Sequence, residues 1–312
     1  MARKNAIQAD PRLVYNKNKK IKGAVSTRVT TVIIYIVVGA LGVLAVLPFL
    51  YVFGGSFATE KELYERPFLI IPSEFSINAY KFILEDGRIL NGLKNTVIVT
   101  LIGTAVSMVF STTFAYPLSK SDFRGRNLIL NLVIITMVFS GGMIPTFLLI
   151  KNLKMLDSFA ALTIPGAISA FNMVIIKNFF EGVPNELEEA AIIDGGSDFT
   201  VFTKIILPLS KPVLASMGLF YAVGFWNDYF SCMLYINDTS KQTGQLILRS
   251  IVLLAQGFDL LGSRMDFGTA GAPPEQAVKL ASTVVTVLPI LLVYPFVQKF
   301  FTKGVMIGAV KG

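Results

Sequence analysis

The chain has 312 residues, 53% of them hydrophobic and 15% charged, with a net charge of +8 from 28 Lys+Arg against 20 Asp+Glu. A soluble domain carries about 25% charge, so this deficit and a mean hydropathy of +0.64 point to lipid as part of the solvent. Histidine is absent and Cys232 is the single cysteine, which excludes an intrachain disulfide, a Cys/His zinc site and a Ser-His or Cys-His nucleophile pair.

Residues 1–28 carry Arg3, Lys4, Arg12, Lys17, Lys19, Lys20, Lys22 and Arg28, opposed only by Asp10. Basic residues next to a membrane span stay on the cytoplasmic side, so this reads as a cytoplasmic tail. The apolar run Thr30 to Phe53 is too long for a signal-peptide core and has no small-residue cleavage site after it. It reads as a retained first membrane helix.

A helix needs about 20 apolar residues to cross a bilayer core. Segments 29–53, 93–118, 127–150, 159–180, 212–236 and 278–301 meet that length, which predicts an all-α integral membrane protein with six transmembrane helices over 29–301. Pro165, Gly166 and Lys177 interrupt the fourth segment, which suits burial among other helices. Ser140-Gly141-Gly142 either lets a neighbouring backbone pack closely or breaks the third. The 119–126 loop holds Lys120, Arg124 and Arg126 against Asp122, and the 302–312 tail holds Lys303 and Lys311 without an acid, so both read as cytoplasmic. Loop 54–92 is balanced in sign and reads as external. Segment 237–277, with Gly268, Gly271, Pro273 and Pro274, reads as an ordered external loop with a short helix near 246–255.

Loop 181–212 departs from this pattern. It is cytoplasmic by count yet carries Glu181, Glu186, Glu188, Glu189, Asp194 and Asp198 against Lys204 and Lys211. Its sequence reads as a short helix, with Asn185 as N-cap, Glu188 closing a capping box, acids in the first turn and Gly195 or Gly196 supplying a left-handed stop. Ser197 is placed to cap a second helix, on which Phe199, Phe202 and Ile206 form one apolar stripe; Pro208 and Pro212 mark the way into the fifth span. Such a helical hairpin is either an ordinary connector or a lever, and the small pair Ala190-Ala191 lets another protein approach closely.

The string Glu189-Ala190-Ala191-x-x-Asp194-Gly195, followed by Phe202, Leu207-Pro208-Leu209 and Pro212, resembles the EAA loop of binding-protein-dependent ABC importer permeases. Ser140 to Pro145, Thr163 to Phe180, Trp226-Asn227-Asp228-Tyr229 and Lys303 to Gly312 are similar to carbohydrate permeases, nearest to those serving oligosaccharides and polysaccharide fragments. The resemblance implies a type I importer permease fold in the bacterial cytoplasmic membrane. It also implies a second homologous permease subunit as heterodimer partner, two ABC ATPase subunits, and an extracellular or periplasmic sugar-binding protein. Glu186, Glu189, Ala190, Ala191, Asp194, Gly195, Phe202 and Pro208 would form the ATPase-coupling element, with Asp194 fixing the helix corner by hydrogen bonds. No residue would be catalytic, no metal or cofactor would bind this chain, and ATP and Mg2+ would sit on the partner ATPases. In keeping with this, no G-x-x-x-x-G-K-[ST] string occurs.

A sugar path needs aromatic faces with a few hydrogen-bonding groups. The fifth span holds Phe220, Tyr221, Gly224, Trp226, Asn227, Asp228 and Tyr229, and positions 217, 220, 221, 224 and 228 share one helical face. Tyr221, Gly224, Trp226, Asn227 and Asp228, with Asn172 from the fourth span, are the candidate pathway residues. Trp226 and Tyr229 fit an interfacial aromatic belt equally well. Ser107, Ser111, Thr112 and Thr113 are either pathway groups or interhelical hydrogen bonds. An ion-driven transporter, an integral membrane enzyme and a permease for another solute are the competing readings. The first leaves the EAA-like loop unexplained, and the second lacks a base partner near Asp228.

Overall fold

The computed structural model describes residues 24–66, 68–254 and 276–309. The expectations for the 1–23 tail, for 255–275 of the external loop and for 310–312 lie outside the described residues. The chain forms two units, 1–50 and 51–312. In the first, the described part is the larger share of α1 (Ala24–Gly55), which has no charged residue from Thr30 to Gly55 and is long enough to cross a membrane.

The second unit continues with α2 (Glu60–Glu65), α3 (Asn78–Asp86), α4 (Arg88–Ser119), α5 (Arg126–Val138), α6 (Met143–Asn152), α7 (Phe159–Thr163) and α8 (Ala170–Glu181). Next come α9 (Asn185–Ile193), α10 (Asp198–Val201), a π-helical turn Phe202–Ile206 and α11 (Leu207–Leu209). It ends with α12 (Lys211–Asn227), α13 (Phe230–Tyr235), a 3-10 turn Thr239–Lys241, α14 (Gly244–Leu254) and α15 (Gln276–Ala309). Every regular element among the described residues is helical.

Helix α4 is the spine of this unit. Its 32 residues reach about 48 Å at the usual rise per residue, and it packs against α12, α8 and α14. Three apolar clusters follow one another along it. Ile89 sits with Ile83, Leu63, Ile247, Ile251 and Val278 near its start. Val99 sits with Ile150, Leu162, Cys232, Tyr235 and Leu246 in the middle. Ala115 and Leu118 sit with Met173, Ile176, Phe180, Phe202 and Ile206 at its end. Cys232 is fully buried, and its sulfur accepts a hydrogen bond from the Thr243 N–H at 3.3 Å.

Among the described residues, three helices are long and apolar enough to cross a membrane singly: Thr30–Gly55, Arg88–Ser119 and Gln276–Val293. The other expected spans are broken, and each break has a local cause. The third divides into α5 and α6, which meet at 113°. Gly142 adopts φ +87 there, a conformation a Cβ disfavours, and the Ser140 hydroxyl accepts from its N–H. The fourth is two short helices, α7 and α8. Pro165-Gly166 ends the first, and the Ser169 hydroxyl accepts the Asn172 N–H at 3.4 Å to start the second. The fifth, expected as 212–236, ends at Asn227 and resumes as α13, while its entry from α10–α11 bends through 81°. The sixth does not stop at 301 but runs on to Ala309, so the first part of the expected 302–312 tail is helical. The Glu60 carboxylate accepts the Gln276 and Ala277 N–H groups at the start of this last helix, placing negative charge at its positive dipole end.

The segment leading into α14 is fixed by polar bonds. The Asn95 amide donates to the carbonyls of Ser240 and Gln242, and Asn91 donates to Ser240. Across from them Asp157, held at φ +58, accepts the Asn237 and Asp238 N–H groups, while Lys241 donates to its carbonyl. The N–H groups of Asp238 and Asn237 hold the Asp157 carboxyl below its ordinary value of 3.8. A folded value lowered in this way stabilises the fold above the ordinary carboxylate range, and the contribution is lost as pH falls through the folded value. Melting of detergent-solubilised protein is therefore expected to depend less steeply on pH below about 4 in Asp157→Asn than in wild type. Asparagine tolerates the positive φ and keeps one acceptor.

Candidate functional site

Two regions gather the residues that the sequence singles out. The first is the corner between α9 and α10. Asp194 ends α9, Gly195 turns left-handed at φ +82, and two backbone bonds close the turn: Gly195 N–H to Ile192 O at 3.0 Å and Gly196 N–H to Ala191 O at 2.8 Å. This is a Schellman stop. The Ser197 hydroxyl then accepts the Thr200 N–H at 3.3 Å to open α10. Beyond it, Pro208 has no N–H to give Lys204, and the helix widens into a π turn in which the Leu207 N–H reaches Phe202 O.

Several expectations for this corner need correcting. Asn185 is the first helical residue, not the cap; Pro184 precedes it, and no side chain caps the helix. Glu188 therefore closes no capping box and instead pairs with Lys120. The Asp194 side chain makes no hydrogen bond among the described residues, so the backbone and Gly195 fix the corner. Phe199 leaves the stripe assigned to it. It is 72% exposed, while Val201 is buried beside Phe202 and Ile206 in the cluster at the end of α4.

The outcome is a helix with no buried residue, projecting from the bundle. Glu186, Glu189 and Ala190 are exposed, as are Leu187, Ile192, and Ile193 at 85%. Ala191 packs inward. Phe202 holds the base, its ring 4.9 Å from that of Tyr116, and Pro208 is exposed. Large apolar side chains thus stand exposed at the tip of an otherwise charged hairpin.

The second region is a cavity of about 470 Å³ between the α7–α8 break and α12–α13. Asn172, Tyr221, Gly224 and Asp228 line it, with Phe220 on the same helical face, as do Pro165, Gly166 and Ser231, which the sequence reading did not choose. Among the described residues Asp228 is the one charged side chain in the lining, and its Oδ1 accepts the Ser231 N–H at 3.0 Å. The Asn172 side-chain amide has no partner among the described residues. The Tyr221 ring faces the cavity, but its hydroxyl is already engaged. It shares a 2.6 Å bond with Ser111 on α4 and accepts the Ser169 N–H at 2.9 Å. Tyr221 thus ties α4, α8 and α12 together, while Asn172 and Asp228 are among the lining side chains that tie no helices to one another.

Trp226 and Asn227 do not reach the cavity. Trp226 lies about 200° around the helix from Gly224 and Asp228, and is 8% exposed, which places it in neither the cavity wall nor an exposed belt. Asn227 donates to the Val223 carbonyl on its own helix. Met217 joins the apolar cluster at the end of α4. Of the hydroxyls on α4, Ser111 bonds across helices, Thr112 and Thr113 bond back to Met108 and Val109, and Ser107 is buried without a partner among the described residues. One signal for the missed lining residues was present in the sequence. A Pro-Gly interruption in a short apolar segment is the mark of a broken helix bordering a solute path.

A helical unit with broken spans around a polar cavity, and an exposed helical corner at one end, is the build of a membrane permease. A family model described as "Binding-protein-dependent transport system inner membrane component" matches residues 107–307, and the chain belongs to that family. It is 52% identical over 274 residues to "Protein LplC" of Bacillus subtilis, covering 88% of this chain and 92% of that protein. It is 49% identical over 269 residues to the "Polygalacturonan/rhamnogalacturonan transport system permease protein YtcP" of the same organism, covering 86% and 93%. Among solved structures, a chain of a bacterial ABC transporter involved in the import of the acidic polysaccharide alginate superposes with a TM-score of 0.80 at 31% identity, covering 88% of this chain and 98% of that one. The fold is therefore that of a type I importer permease.

Proposed function

We propose that this chain is one of two membrane-spanning subunits of an ATP-driven importer in the bacterial cytoplasmic membrane, and that its cargo is an oligosaccharide delivered by an external binding protein. The α9–Gly195–α10 corner seats on a cytoplasmic ABC ATPase, and closure of two such ATPases, each with ATP and Mg2+, drives the cavity from inward to outward facing. This chain holds no nucleotide and performs no chemistry. The chain crosses the membrane six times with both termini inside, the α7–α8 segment counting as a broken fourth span. A second, similar permease supplies the other wall of the path.

The observation that carries this reading is the exposed apolar set Leu187, Ile192, Ile193 and Phe199 on a corner whose turn is closed by backbone bonds. The sugar assignment is supported by the cargoes in the relatives' names and by a cavity that joins Phe220 and Tyr221 to Asn172 and Asp228. The test is ATP hydrolysis and sugar uptake by the complex in proteoliposomes, with a binding protein loaded in turn with neutral and uronate oligosaccharides. Stimulation of both by one of these sugars is expected. Transport by this chain without any ATPase would overturn the reading. In the same assay Asp228→Asn keeps the acceptor for Ser231 but weakens a charged hydrogen bond to a neutral one, so the half-saturating sugar load is expected to rise about fivefold.

A further inference from the structure

Helix α9 has no buried residue of its own, so packing alone holds it weakly to the bundle. One polar tie runs from it to α4. The Glu188 carboxylate, with 13% of its side chain exposed, pairs with the ammonium of Lys120 at 26%, 68 residues earlier in the chain. Lys120 is the residue that ends α4. Its ammonium also lies 4.7 Å over the ring of Tyr116, one turn back, and that ring packs 4.9 Å from Phe202 at the base of α10. The loop holding Lys120 is braced in turn. Arg126 donates to the Leu118 carbonyl at 2.9 Å and pairs with Glu181, which also pairs with Lys177. About two and a half turns back from Lys120, the same α4 bonds Tyr221 through Ser111, and Tyr221 holds both the cavity wall and the Ser169 N–H at the start of α8.

We infer that the Lys120–Glu188 pair is the strut that passes displacement of the α9 corner to α4, and through Ser111 and Tyr221 to the cavity; this rests on the coupling role proposed above. An ion pair suits the task because it resists shear along a helix end while it can part and re-form as α9 swings. Partial burial makes it stronger than an exposed pair. Both residues are positioning residues. Neither belongs to the exposed apolar set that meets the ATPase, and neither touches the cavity.

The experiment uses the whole complex in proteoliposomes with its sugar-loaded binding protein. It compares wild type with Lys120→Met, Glu188→Gln, the swap K120E/E188K, and Ile193→Asp on the exposed tip. The readouts are ATPase co-purification, ATP hydrolysis, and sugar taken up per ATP hydrolysed. The two single variants are expected to keep their ATPase subunits and unstimulated hydrolysis, yet lose about tenfold in uptake per ATP, and the swap to recover most of that loss. Unchanged uptake per ATP in the single variants, or a swap that co-purifies normally but recovers nothing, would sink the strut. Loss of ATPase subunits in the single variants would do so too, since the pair would then be a prop for docking. Ile193→Asp separates the two layers. If it releases the ATPases while the strut variants couple normally, only the strut falls. If the ATPases stay bound to Ile193→Asp and coupling is normal, the coupling role of the corner falls with it.

Discussion

Gly195→Pro is expected to abolish sugar-stimulated ATP hydrolysis and uptake while leaving the chain inserted in the membrane. Two separate features of residue 195 make the effect large. Its φ is +82, and a proline ring fixes φ near −65°, so the left-handed turn cannot form. Its N–H also donates to Ile192 O, one of the two bonds that close the corner, and proline has no N–H. The alternative is for α9 to run on or unwind, either of which swings Leu187, Ile192 and Ile193 away from α10. Gly195→Ala keeps the bond and meets open space for its Cβ, so its cost is the left-handed strain alone, about 1–2 kcal/mol. A graded loss, slight for alanine and at least tenfold for proline, measured as stimulated hydrolysis in proteoliposomes, assigns the effect to the corner's shape. Equal loss in both would assign it to the removal of glycine itself.

That corner was the most legible part of the sequence. Its acids, its Gly-Gly stop and Ser197 are local signals, read from neighbours a few residues apart. Local signals misled where two were in competition. Asn185 and Glu188 spell a capping box, but Pro184 already fixes the backbone at the cap position, and Lys120, distant in sequence, claims the Glu188 carboxylate. Period alone also could not tell which residues of α12 see the cavity. It placed Tyr221, Gly224 and Asp228 on one face correctly, yet Met217 on that face packs into the core, because the cavity spans only the second half of the helix. Two breaks stand on another footing: the one left open at Ser140-Gly141-Gly142 within 127–150, which the structure bears out, and the one within 212–236, which was not read. Apolar length sets how much chain can sit in lipid, but the Gly141-Gly142 and Asp228 breaks depend on which backbone groups find partners elsewhere. Lys120–Glu188 and the Tyr221 ties were out of reach altogether, since each joins residues 50 or more apart.

A long-range dependence of the same kind governs the second large effect. A Cβ built on Gly103 of α4 would lie 2.8 Å from the ring of Phe225, which also lines the cavity. Such a contact is shorter than side chains tolerate, and the ring is the rigid end of a packed aromatic, so α4 and α12 must move apart or Phe225 must turn into the cavity. Gly103→Val is therefore expected to cost about 1–3 kcal/mol, read as a fall of several degrees in melting temperature, and to cut uptake more than tenfold. The second-site test is Phe225→Ala. Alone it opens a void and lowers stability; combined with Gly103→Val it removes the clash, so the double variant is expected to be more stable than the sum of the single effects predicts. Recovery of stability and uptake together would mean that the cavity needs only the close approach of α4 and α12. Recovery of stability without uptake would mean that the Phe225 ring itself is part of the path, as its place in the lining suggests. Additive loss in both would show that Gly103 and Phe225 do not meet in the working transporter, and that the α4–α12 contact differs from the one described.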